Sequence, residues 1–417
     1  MATIAVLGTF DTKGAEHAYV ADLIRQRGHT PLLVDVGTLE APTVTPEIGR
    51  EVVAAAAGAD AAALAARRDR GEAVAAMTRG APILLARLHA GGRLDGVISL
   101  GGGGGTAIGT AAMRALPLGV PKLMVSTLAS GNTAPYLGVK DLVMMPSVVD
   151  VAGLNRLSRR LLAQAAGAIC GMVEARVPEG AADRPVIVAS QFGNTTACVT
   201  AARELLEAAG FEVLVFAATG NGGRTMESLI ESGLVSGVLD VTTTEWADEL
   251  VGGVLTAGPT RCEAAARRGV PAVLAPGCLD MVNFGEPSSV PERFRGRRFY
   301  QHNAQVTLMR TTPEENAELG RLLADRCNLS IGPVTVLLPL KGISVISAPG
   351  QPFHWPEADA ALFAAWKQHL RSDIPVIEYD GAINDPGFAG LCARTLLKLI
   401  PADGSRERAT ASPRSAT

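Results

Sequence analysis

Apolar runs of five or six residues recur along the chain. Each runs into a turn of glycine or hydroxyl residues and then into a longer stretch with apolar positions at helical spacing. In the first half, residues 3–7, 30–35, 96–100 and 122–126 read as strands, and 15–26 and 106–115 as helices. In the second half, 305–309, 334–339 and 375–379 read as strands, and 313–328, 357–371 and 386–399 as helices. Short, β-branched strands alternating with helices predict an α/β architecture of parallel, doubly wound sheets. Right-handed crossovers then gather the loops that follow the strands along one edge, where ligands of such sheets bind.

The pattern also repeats. Ile4-Ala-Val-Leu-Gly8-Thr-Phe-Asp-Thr12 is echoed by Val186-Ile-Val-Ala-Ser-Gln-Phe192-Gly-Asn-Thr-Thr196. Gly28-His-Thr-Pro-Leu-Leu-Val34 returns 182 positions later as Gly210-Phe-Glu-Val-Leu-Val-Phe216, and Asp95-Gly-Val-Ile-Ser99 returns 141 positions later as Ser236-Gly-Val-Leu-Asp240. Two Rossmann-like lobes are expected, residues 1–180 and 185–400, with a ligand cleft between them. The drop in offset gives the first lobe about 41 extra residues, largely the Ala-rich run 52–66 and the segment through 77–89. Alanine favours helix and carries no chemistry, so that run reads as surface or lobe-packing helix. The charged, Pro-containing stretch 174–185 reads as a linker, and 401–417, rich in Ser, Ala, Thr and Arg, as a disordered tail.

Composition narrows the function classes. A chain of 417 residues exceeds one core, and 47% hydrophobic with 4% aromatic residues suits buried parallel strands. A net charge of −3 offers no basic field for nucleic acid. No apolar stretch approaches the ~18 residues of a membrane helix, and residues 1–7 run directly into Gly8, Asp11 and Lys13 rather than into a signal peptide. The six cysteines are scattered, without metal or redox spacing. The expectation is a cytoplasmic protein with no membrane or nucleic-acid partner and no structural zinc.

The sharpest local feature is Gly101-Gly102-Gly103-Gly104-Gly105-Thr106, between a strand and a helix. Successive glycines let main-chain N–H groups approach an anion, and a helix N-terminus adds about half a positive charge. A tight, close-packed turn would use the same residues. No Lys-Ser/Thr follows to make a Walker A motif, and Gly102-x-Gly104-x-x-Ala107 only approximates a dinucleotide fingerprint.

Other loops at strand ends carry hydroxyls and amides that can donate to phosphate or ribose. In the first lobe these are Thr9, Phe10, Asp11, Thr12 and Lys13, and then Ser126, Thr127, Ser130 and Gly131. In the second they are Gly193, Asn194, Thr195 and Thr196, and then Thr219, Gly220, Asn221 and Gly222. Singly, such residues more often cap helices or make turns, so their convergence carries the argument. Lys13 and Arg224 are candidate partners for phosphate charge. Asp11, Asp240, Glu245 and Asp280 are candidate ligands for a nucleotide's Mg²⁺, although Asp11 could cap the first helix and Glu245 start another. Asp280, His302 and Lys341 are the candidates for catalysis, with His354 a further acid or base. Cys278 follows a strand where a nucleophile could be exposed, but a small buried thiol is the simpler reading.

Taken together, Gly8-Thr-Phe-Asp-Thr-Lys13, the Gly101–Thr106 turn, Ser126-Thr-Leu-Ala-Ser-Gly131, Pro276-Gly-Cys-Leu-Asp-Met-Val-Asn-Phe-Gly285 and Gln301-His-Asn-Ala-Gln-Val-Thr-Leu-Met-Arg-Thr311 resemble a known family. It is the ATP-binding domain family typified by the N-terminal part of the tomato mosaic virus resistance protein. Pro339-Leu-Lys-Gly-Ile-Ser344 and Ala348-Pro-Gly-Gln-Pro352 extend the likeness. Cys278 departs from it, standing where the family pattern favours Ala. The resemblance implies two Rossmann-like lobes, an ATP site at their interface and a homodimer; it does not imply antiviral activity here. The reading is a protein that holds ATP, with Mg²⁺, between two α/β lobes and controls a partner or acts on an unidentified small anionic metabolite. An ATP-dependent enzyme on a small anionic substrate and a hinged sugar-phosphate-binding module are the alternatives.

Overall fold

The computed structural model describes residues 1–176 and 184–401. The chain divides into two compact units at residue 179. The centre of the expected linker and nearly all of the expected tail lie outside the described residues.

The first unit contains β1 (Thr3–Gly8), β2 (Thr30–Asp35), β3 (Gly96–Gly101), β4 (Lys122–Ser126) and β5 (Val143–Pro146). All pair in parallel, in the order β2-β1-β3-β4-β5. Alternation along each strand sends side chains to both faces. Ala5, Leu7 and Val97 pack with Met77, Leu85 and Ile108 on one face, while Ile4, Val6 and Ile98 pack with Val20, Ile24 and Ile169 on the other. Helices therefore cover both sides, and the strands read as near-continuous apolar runs.

The Ala-rich run forms the helices Arg50–Ala56 and Ala61–Arg67, followed by Arg70–Ala90. One face of it packs into the first unit's core through Val53, Ala54, Ala61 and Leu64, while Val52, Ala55, Ala62 and Ala66 are exposed. Small side chains permit close approach: a Cβ at Gly80 would lie 2.0 Å from the Val53 carbonyl oxygen.

The helix Phe10–Gln26 leaves helical geometry at Lys13 (φ −134°, ψ 27°), so one turn precedes the expected stretch 15–26, and the helix expected at 106–115 begins earlier, at Gly103. Asp35 accepts the Phe10 N–H, and the Thr106 N–H closes the first turn of the second helix on the Gly102 carbonyl.

The second unit has six parallel strands: β6 (Val186–Gln191), β7 (Glu212–Ala217), β8 (Gly237–Thr242), β9 (Ala272–Gly277), β13 (Val334–Pro339) and β14 (Val376–Tyr379). Their order is β14-β13-β9-β8-β6-β7. Counting strands within each unit, both sheets share the order 2-1-3-4-5, and the second adds a sixth strand. Between β9 and β13 the chain inserts an antiparallel sheet of β10 (Met281–Phe284), β11 (Phe299–Asn303) and β12 (Val306–Arg310). The sequence signals only β12, because β11 is a mostly exposed, polar edge without an apolar run. Both main sheets are Rossmann-like and doubly wound. Among the described residues no helix is long and apolar enough to cross a membrane.

Candidate functional site

In a 2-1-3-4-5 sheet the connections leaving strands 1 and 3 diverge, so a crevice opens at the carboxyl ends of those strands. In the first unit this crevice is a cavity of about 650 Å³. The loop after β1 supplies Thr9, Asp11, Thr12 and Lys13, the glycine turn supplies Gly102–Gly105, and the loop after β4 supplies Ser126, Thr127 and Ser130. Every lining residue belongs to the first unit.

The five glycines are not equivalent. A Cβ at Gly101 would come within 2.9 Å of Gly105 Cα, so glycine there answers a packing demand. A Cβ at Gly103 would meet nothing within 4 Å, and at Gly102 and Gly104 the nearest atoms would be 3.7 and 3.6 Å away. The fold thus tolerates a side chain where the sequence withholds one. The helix Gly103–Arg114 starts here, and its first intrahelical bond is Thr106 N–H to Gly102 C=O at 2.8 Å. The amides of Gly103, Gly104 and Gly105 precede that ladder.

Residues near the starts of three helical segments line the cavity, Asp11–Lys13, Gly103–Gly105, and Arg70 with Val74. Of these, the Gly103–Gly105 turn opens a continuous helix without a side-chain cap, and a helix start of that kind favours an anion. The Lys13 ammonium donates to the Val151 carbonyl. Asp11 Oδ2 accepts the N–H groups of Thr38 and Leu39 at 3.0 and 3.1 Å, fixing the loop after β2, and its buried Oδ1 has no hydrogen-bond partner among the described residues.

Not every first-unit candidate reaches the cavity. Phe10 is fully buried in the core, Thr106 is fully buried with its Oγ1 2.7 Å from Ser126 Oγ, and Gly101 ends β3 beneath the turn. Phe10, Gly101, Thr106 and Gly131 are not wall residues. Asp35, at the end of β2, stands where dinucleotide folds place the ribose-binding acid. Its oxygens accept from Phe10 N–H, Gly37 N–H and Arg50 Nε at 3.0, 2.8 and 2.7 Å.

The second unit fills its corresponding crevice from within. The fully buried Arg261 donates to Asp240 at 2.5 and 2.7 Å, to Glu245 at 2.6 Å and to Glu227 at 3.1 Å. Glu245 also accepts the N–H groups of Gly220 and Gly223 at 2.7 and 3.1 Å, and Ser190 Oγ donates to Asp240 at 2.6 Å. Asp240 and Glu245 are therefore counter-ions of Arg261, not open metal ligands. Among the described residues no three His, Cys, Asp or Glu side chains gather as a metal site.

The remaining second-unit candidates also make internal bonds or stand exposed. Thr195 pairs with Thr242 at 2.8 Å between hydroxyls, the Asn194 carbonyl accepts from Asn384 at 2.9 Å, and a Cβ at Gly222 would lie 1.8 Å from the Ala217 carbonyl oxygen. Gly193, Thr196, Thr219 and Asn221 are exposed, as is Arg224, which donates to Asn221 at 2.6 Å.

Asp280, His302 and Lys341 do not assemble into a catalytic group. Asp280 is fully buried, accepts from Ser344 Oγ at 2.8 Å, and burial pushes its carboxyl up to about 6. His302 is exposed on β11, and Lys341 is exposed and paired with Asp380 at 2.9 Å. His354 is half-buried, its Nδ1 3.2 Å from the Ser347 carbonyl. Cys278 is fully buried with φ at 60°, and burial pushes its thiol well above the ordinary range.

Sequence reasoning missed Arg70 and Val74, Thr38 and Leu39, and the loop 146–150. For Arg70 a signal existed: Asp69-Arg-Gly-Glu72 is a helix-start pattern, and Asp69 accepts the Glu72 N–H at 3.0 Å.

The two sheets and the cavity define a class: a two-unit α/β protein with an open switch-point crevice in its first unit. The chain belongs to the uncharacterised protein family UPF0261, its residues 2–178 matching the family's N-terminal domain and 184–400 its C-terminal domain. A UPF0261 protein of Clostridium tetani is 48% identical over 95% of this chain and 98% of its own. One from Rhizobium meliloti is 52% identical over 93% of this chain and 97% of its own. The ToMV resistance protein Tm-1(GCR237) of Solanum lycopersicum is 42% identical over 80% of this chain, which spans only 45% of that protein. The resemblance drawn from the motifs is therefore one of family. A solved UDP-N-acetylglucosamine 2-epimerase from Rickettsia bellii overlaps 66% of this chain and 78% of its own at 12% identity and a TM-score of 0.23. The strand order of the two sheets by itself defines the fold.

Proposed function

We propose that the first unit's cavity binds a phosphorylated small molecule through the main-chain amides of Gly103–Gly105, with ATP as the ligand expected from the family resemblance. One observation carries the reading: glycines that packing does not require stand at the start of a helix and face an open cavity. Glycine is a poorer helix former than alanine by up to ~1 kcal/mol, so its retention fits close approach of a ligand to the backbone. The volume lies within the range of small-molecule pockets and has room for more than bare phosphate. The commitment of Asp35 to Arg50 and main-chain amides favours a mononucleotide over a dinucleotide. Mg²⁺ would enter with the phosphates, since Asp11 alone of its four candidate ligands lines the cavity. A cytoplasmic setting accords with six cysteines that are all buried and free of disulfides; the homodimer follows from the family resemblance.

Calorimetric titration of the full chain with ATP–Mg²⁺ tests the proposal. Saturable binding is expected, with a stabilisation of about 2.7 kcal/mol at a hundredfold excess over Kd. Gly103→Val should fold normally, because its side chain enters open space, and should bind at least ~100-fold more weakly, a loss of ~2.7 kcal/mol. Wild-type affinity in that variant would sink the proposal.

A further inference from the structure

Arg70 is the least compensated cation in the cavity wall. It occupies the first position of the helix Arg70–Ala90, where a positive charge opposes the helix dipole. The carboxylates beside it in sequence are already committed. Asp69 caps the helix by accepting the Glu72 N–H, and both Glu72 oxygens accept from Arg67 at 2.7 and 2.8 Å. Among the described residues Arg70 makes no ion pair or hydrogen bond. Its guanidinium nonetheless borders the glycine turn, since a Cβ at Gly104 would lie 4.0 Å from Arg70 Nη2. The other cation in the wall, Lys13, belongs to the loop after β1 and is held at the Val151 carbonyl.

Resting on the phosphate-binding reading above, we infer that Arg70 makes this cavity selective for ligands carrying more than one phosphate. One phosphate seated on the amides of Gly103–Gly105 uses up the donors of the turn. A second or third phosphate adds negative charge that those amides cannot match. A guanidinium beside Gly104, with no carboxylate of its own, supplies that charge and binds phosphate oxygens bidentately. The segment bearing Arg70 is the one that makes the first repeat longer than the second. The second unit instead directs a buried arginine at its own carboxylates.

The test compares AMP with ATP on the full chain, by calorimetry in the presence of Mg²⁺, for the wild type, Arg70→Gln and Arg70→Lys. Arg70 is exposed, so both variants should keep the wild-type circular dichroism spectrum and Tm. Wild type should prefer ATP at least tenfold. Arg70→Gln should lose ten- to thirtyfold in ATP affinity with AMP changed less than threefold, and Arg70→Lys should recover part of the loss. Equal losses for AMP and ATP, or none for either, would overturn this inference while leaving phosphate binding in place. A wild-type chain that binds neither nucleotide would overturn the parent reading as well.

Discussion

A glycine is informative only when its surroundings are known. Gly103 and Gly109 lie in one helix and look alike in sequence, yet a Cβ at Gly103 meets open space whereas one at Gly109 would lie 2.6 Å from Ser99 Oγ and 2.9 Å from Ser99 Cβ. Ser99 is fixed on the buried strand β3, so the clash cannot be relieved by turning a flexible side chain away. Gly109→Ala should therefore destabilise the protein by roughly 1–2 kcal/mol net, overpacking outweighing the gain in helix propensity. A urea midpoint below that of wild type would show it, and an unchanged or higher midpoint would refute it. At this scale the sequence marked most of the cavity wall, because strand-end glycines and hydroxyls are local signals. It could not tell a wall residue from a buried one: Thr106 and Phe10 belong to the same motifs as Gly103 and Asp11, and face the core instead.

Among the elements, the parallel strands with both faces covered were legible, whereas the partly exposed edge strand β5 was not read from the sequence. The insertion between β9 and β13 was not, since its edge strand β11 carries Gln301, His302 and Asn303 in the open. Buried polar groups anchor that insertion to the chain that follows β13. Arg310 donates to the Phe353 carbonyl at 2.8 Å and to Asp359 at 2.6 Å, and Asp280 accepts from Ser344 at 2.8 Å.

Asp280 also makes this junction sensitive to pH. Burial, partly opposed by the Arg310 charge, raises its carboxyl from the usual 3.8 to about 6 in the folded chain. Between those values the folded state keeps a proton that the unfolded state has released, so stability falls as pH rises through that window and levels off above it. Asp280→Asn should remove this component. The variant should match wild type near pH 4 and exceed it above pH 7 by an amount on the order of 3 kcal/mol. Denaturant midpoints at the two pH values provide the check. A variant no more stable than wild type above pH 7 would overturn the assignment of this pH dependence to Asp280.

For the molecule as a whole, one strand order serves two ends. The internal repeat made the doubling visible in the sequence, but it also suggested equivalent ligand loops, which the structure does not show. In the first unit the crevice is open, with Lys13 and Arg70 in its wall alongside Asp11 and Asp150. In the second, the same position is closed by Arg261 among Asp240, Glu245 and Glu227, with Glu245 capping the amides of Gly220 and Gly223. The sequence could not show this closure, because Arg261 lies in a connection with no counterpart in the quoted repeats. If the first cavity binds ATP, titration should saturate at one molecule per chain, and Gly103→Val should abolish all of it. Two equivalents, or a residual site in that variant, would show that the second unit's interior opens.

The close seat of the Arg70 helix on Val53 at Gly80 has a mechanical consequence. The same helix packs Met77 and Leu85 against Val97 and Ile108, so a change that re-seats it also pulls on β3 and on the helix behind the glycine turn, and the charged arm and the turn shift as one piece.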